Sequence, residues 1–131
     1  MKNFLSFIIL IILVSCSDKP VQKPDNLLSK EEMENIIYDI SILQAADVFK
    51  PEILVKNNIK IKNYIYKKYT IDSTTFFQNY KYYAADIKAF KKIYKNVNNR
   101  IESQKSEIDT VLKTKNIQVP DDLPTYIPQT N

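Results

Sequence analysis

The 131-residue sequence contains no glycine, no histidine and no tryptophan, and it has a single cysteine, Cys16. Each absence excludes something. Without glycine the chain lacks the residue that primed hairpin turns prefer and the loops that cradle phosphate groups, which favours helices over nucleotide-binding folds. Without histidine there is no ordinary general base near neutral pH, no imidazole metal ligand, and no Ser-His-Asp or Cys-His arrangement. One cysteine forms no internal disulfide, and a zinc site would have to be built from carboxylates alone, which is rare. No metal, no cofactor and no enzymatic activity are therefore expected.

What is present begins with a targeting pattern. Lys2 precedes an apolar run from Phe4 to Val14 that only Ser6 interrupts. The run is too short for a bilayer span, which needs roughly 20 apolar residues, and has the length of a signal-peptide core. It ends in Leu13-Val14-Ser15-Cys16, which resembles the lipobox read by lipoprotein signal peptidase: an aliphatic residue, small residues, then the acceptor cysteine. Cleavage would leave Cys16 as the first mature residue, acylated, with the lipid bilayer as its partner. More than one acyl chain makes such anchoring stable. Ser17-Asp18-Lys19 occupies the positions where sorting signals lie. The expected location is the periplasmic side of the cell envelope at the outer membrane, with the inner membrane and the cell surface open as alternatives.

The organisation expected from the sequence is a signal peptide over 1–15, a lipidated cysteine and flexible tether over 16–26, a helical domain over 27–116, and a proline-bearing extended or disordered tail over 117–131. Within the domain, Ser29 followed by Glu32 makes a capping box, with Leu28 and Met33 placed for a hydrophobic staple. Met33, Ile36, Ile37, Ile40, Leu43 and Gln44 then recur at helical spacing and predict a helix over 30–47. Residues 52–70 mix two patterns. Ile59-Lys60-Ile61-Lys62 alternates like a strand, but a lone strand has no partner, so the spacing of Ile61, Tyr64, Ile65 and Tyr69 decides for helix. Asp72 or Ser73 caps a short third helix carrying Phe76, Phe77, Tyr80 and Tyr83. Asp86 caps a long fourth one, whose apolar positions run through Ile87, Phe90, Tyr94, Val97, Ile101, Ile108 and Val111, with Gln104 in the same series. Its last turns, past Ile101, are expected to project. The fold class is all-α: a small bundle of three to four helices with a long C-terminal helix.

Net charge is +4, and it is concentrated. Between Lys50 and Lys95 eleven lysines stand against Glu52, Asp72 and Asp86. In an exported chain this points to anionic envelope components or acidic proteins rather than nucleic acid; a solvated basic face is the plain alternative. Asp39 borders the apolar stripe of the first helix, placed either to pair with a tyrosine or lysine of a neighbouring helix or to contact a ligand. On the second helix the apolar arc exceeds half the circumference. Ile59, Tyr66 and Lys67 are the candidate contacts for an envelope partner if that arc is exposed, whereas a helix touching two neighbours would bury it. Nine tyrosines fit either wet core edges or a recognition surface; a pocket lined by several of them would bind a small ligand, peptide or glycan.

The chain resembles a small lipoprotein family known only as domain of unknown function 4296. The resemblance lies in Lys23-Pro24-Asp25-Asn26-Leu27-Leu28, Met33, Ile36-Ile37 and Asp39 with Ala45-Ala46. It continues through Tyr69, Ile71-Asp72, Phe76, Tyr80 and Tyr82-Tyr83, and ends with Ile93-Tyr94 and Val97. It covers roughly residues 23–100, implies a lipidated, exported, all-helical domain, and implies no activity.

Overall fold

A computed structural model describes residues 21–117. The expected signal peptide, Cys16, the first part of the tether and the tail from residue 118 lie outside the described residues. The domain is all-helical, with no strand among the described residues: α1 (Lys30–Phe49), α2 (Pro51–Lys56), α3 (Ile61–Tyr69), α4 (Ser73–Ala85) and α5 (Ile87–Thr114).

The helix starts follow local chemistry. The Glu32 amide donates to Ser29 Oγ at 3.1 Å and the Ser29 amide to Glu32 Oε2 at 2.7 Å, so both halves of the capping box form. Asp72 accepts from the Thr75 amide at 2.7 Å, and Asp86 from the Lys88 and Ala89 amides at 3.0 Å each. Pro51 stands at the first turn of α2, where its missing N–H costs nothing.

The single helix expected over 52–70 is two, α2 and α3, and this accounts for the fifth element. The break is at Asn58, which takes a left-handed φ of 51°. Its amide donates to Val55 O at 3.0 Å and the Ile59 amide to Leu54 O at 2.8 Å, the pair of bonds that defines a Schellman cap. The same pair recurs after α3 at Thr70 (φ 52°) with Ile71, and after α5 at Asn116 (φ 55°) with Ile117. In a chain without glycine, two asparagines and a threonine take the left-handed positions, each followed by an isoleucine. Lys60 then lies extended before α3, which is why Ile59 to Lys62 alternates like a strand.

α1 packs against α2, α3 and α5, and α4 packs against α5. The core combines Leu28, Met33, Ile36, Ile37 and Tyr38 with Ile65, Tyr83, Ala89, Ile93 and Val97. Ile40 and Leu43 pack at its edge. Beyond Ile101, α5 carries Ile108 and Val111 into solvent, the projection that its pattern predicts.

Candidate functional site

The most heavily built polar feature is where the chain joins the bundle. Asn79, on α4, is fully buried. Its Oδ1 accepts the Leu28 amide at 2.8 Å, while its Nδ2 donates to Asn26 O at 2.8 Å and to Thr75 O at 2.9 Å. One turn along, the Tyr83 hydroxyl donates to Leu28 O at 2.6 Å. α4 thus grips the backbone on both sides of Leu28. Asp72 sets the start of α4 and so the helical phase that aims Asn79 and Tyr83 at one strip of chain. Pro24 is buried ahead of the grip. Burial pushes the Tyr83 hydroxyl above its ordinary pKa, with the neighbouring Tyr82 and Glu32 adding to it, so it stays a protonated donor. The arrangement holds and orients; nothing in it moves a proton.

The N-terminal residues then run across α4. Val21 to Asp25 border a hollow of about 260 Å³ with Gln78 and Lys81. A second hollow of about 440 Å³ lies between Val21, Lys30 and the α4–α5 corner at Tyr82, Ala85, Asp86 and Ala89. Val21, the first described residue, therefore lies at that corner.

Asp39 ties α1 to α3. Its Oδ2 accepts from Lys68 Nζ at 2.6 Å and from the Tyr69 hydroxyl at 2.7 Å. The bond to Asp39 raises the Lys68 pKa above its ordinary value, and burial together with Asp39 pushes Tyr69 strongly upward. Of the two roles expected for Asp39, this geometry is the pairing one.

Ile59 and Lys67 come together around a hollow of about 530 Å³ that also involves Lys60, Asn63 and Tyr64. Tyr66 is not with them. It is half-buried, packs against the core, and borders a different hollow of about 270 Å³ with Ile40, Gln44 and Phe76. The wide apolar arc of α3 arises because the helix is wedged against the core on one flank and opens on the other. The expected single patch of Ile59, Tyr66 and Lys67 is thus divided.

The tyrosines do not converge on one hollow. Tyr38 donates to Gln104, with the Arg100 guanidinium 3.8 Å from its ring centroid. Nearby, Arg100 bonds Asn35 at 2.8 Å and Asn96 bonds Glu34 at 2.7 Å, completing a polar seam between α1 and α5. Tyr80 and Tyr94 meet hydroxyl to hydroxyl at 3.3 Å within an aromatic edge that includes Phe76 and Phe90. Among the described residues no three carboxylates are placed to hold a metal ion, and no helix is long and apolar enough to cross a membrane.

Asn79 escapes sequence reasoning because the two partners that give it its role, the Leu28 amide and Asn26 O, lie more than 50 residues away. The one signal near it is the pattern Lys23 to Leu28 together with Tyr82-Tyr83, which proves to be the two sides of one contact. The fold and the grip define a small helical domain joined through a clamped N-terminal segment. The chain belongs to the family described as Domain of unknown function (DUF4296), which matches residues 24–107, from the buried proline to the exposed reach of α5. No curated protein and no solved structure matches the chain.

Proposed function

We propose that this chain is a lipid-anchored, non-catalytic interaction or accessory module of the bacterial cell envelope. One observation carries the reading: Cys16, closing a lipobox, stands eight residues before Pro24, where the chain becomes buried and is then gripped by α4. Eight residues span at most roughly 28 Å, so the domain is held close to the bilayer. The contact surfaces left to a partner are the flank of α3 at Ile59 and Lys67, the lysine-rich outer face of α5 with Lys81 of α4, and the projecting end of α5.

The anchor is tested with Cys16→Ser in the full chain. The expected outcome is loss of metabolic labelling by a fatty acid and accumulation of the unprocessed precursor. Continued cleavage with unchanged detergent partitioning would refute the anchor.

A further inference from the structure

The corner beside Val21 has a composition of its own. Val21 lies between Lys81 on one side and Tyr82, Ala85, Asp86 and Ala89 on the other. Two large apolar side chains stand exposed on the two helices that meet there. Ile87, at the first position of α5, is 67% exposed, and Phe77, one turn before Lys81, is 60% exposed. Lys81 Nζ lies 5.5 Å from the Phe77 ring centroid. From Ser73 to Val97 the chain carries Lys81, Lys88, Lys91, Lys92 and Lys95 against one acid, Asp86. The Asp86 carboxylate is occupied by the amides that start α5. The α4–α5 corner, with the helix faces that flank it, is thus cationic and bears two exposed apolar side chains, and Val21 lies beside it.

Cys16 is five residues from Val21, a distance of at most roughly 18 Å. Because Asn79 and Tyr83 fix the chain at Leu28 and Pro24 is buried ahead of it, the link to the lipid is short and the corner beside Val21 is the part of the domain held nearest to it. We propose that the α4–α5 corner docks on the bilayer surface. Lys81, Lys88 and Lys91 face anionic lipid headgroups, and Phe77 and Ile87 enter the interfacial layer. This rests on the lipid-anchor reading and adds to it an orientation: the α3 flank and the free end of α5 remain available to partners. Lysines within a Debye length of an anionic leaflet are attracted individually, so the effect is graded and salt-dependent.

The test uses the full mature protein extracted from its membrane and reconstituted into phosphatidylcholine vesicles with or without a third phosphatidylglycerol. Intact mass reports acylation of Cys16, flotation reports anchoring, and hydrogen exchange reports docking. The expected result is flotation with both vesicle types, but slowed exchange over residues 77–91 only with the anionic ones, reversed by high salt. Each lysine removed should weaken the docked state roughly fivefold, so Lys81→Glu, Lys88→Glu, Lys91→Glu together should abolish the protection while flotation and thermal midpoint stay unchanged. Flotation of acylated protein with no protection over 77–91 in anionic vesicles overturns the docking and leaves the anchor standing. Protection that survives the triple variant overturns the assignment to this edge. An unmodified Cys16 overturns the anchor and the docking with it.

Discussion

Asn79 uses its whole side-chain amide inside the core, accepting one bond and donating two. Leaving the buried Leu28 amide without a partner costs about 1–3 kcal/mol, and the bond to Asn26 O is lost with it, so Asn79→Ala should destabilise the domain by about 3 kcal/mol. That corresponds to roughly 10 °C or more in the thermal midpoint. Tyr83→Phe removes one bond and should cost about 1 kcal/mol. Both residues hold Leu28, so the double variant should lose less than the sum; additivity in urea unfolding would show that the grip is two independent contacts. Nothing local in the sequence marks Asn79, since an asparagine in a helix reads as surface or cap until its distant partners are known. Asp39 was more legible, because its place at the border of an apolar stripe implies a polar neighbour, and Lys68 and Tyr69 are that neighbour.

Helix starts and helix ends differ in how plainly they are written. Ser29 and Asp86 are legible as caps, and Asp72 is one of the two residues the sequence offers for its helix, because a cap is a contact within four residues. The ends are harder in a chain without glycine. Asn58 splits α2 from α3, yet nothing in the pair Asn57-Asn58 distinguishes a left-handed turn from a solvated helix face. Thr70 is the most costly of the three left-handed positions, because a β-branched residue there crowds its own carbonyl. Thr70→Asn and Thr70→Gly should therefore each raise stability, the asparagine by about 1 kcal/mol; a lower thermal midpoint for both would mean that the hydroxyl is held by an interaction of its own. At the far end, α5 outruns the bundle. Gln104 still meets Tyr38, whereas Ile108 and Val111 are exposed. Ending the chain after Glu107 should lower the helical circular dichroism signal yet shift stability by less than about 1 kcal/mol. A larger loss would show that the final turns are packed against something. Periodicity made α5 visible as a helix, but the wheel of α3 could not say which neighbour covers which flank, and so Tyr66 was grouped with Ile59 and Lys67.

At the scale of the whole domain, four groups among the described residues have pKa values raised by folding: Tyr69, Tyr83 and Tyr94, each first by burial, and Lys68, first by Asp39. A group with a raised folded pKa contributes stability that is fully present below its unfolded value and is lost as pH climbs toward the folded one. With ordinary values of 10.0 for tyrosine and 10.5 for lysine, stability should hold through neutral pH and fall above about pH 10. Asp39→Asn should shallow that alkaline loss, and an unchanged profile would detach Lys68 and Tyr69 from it. Glu32 and Asp72 run the other way: their capping bonds hold them below the usual carboxylate range, so their contribution disappears as pH falls through those depressed values. The grip on Leu28 has a mechanical consequence as well. A pull on the N-terminal segment reaches Asn26 and Leu28 before it reaches α1, and there part of the load passes sideways through Asn79 and Tyr83 into α4, which is backed by α5. The first turn of α1 is thereby spared the full tension, and under force the domain should yield by release of this fastening rather than by unwinding of the helix that follows it.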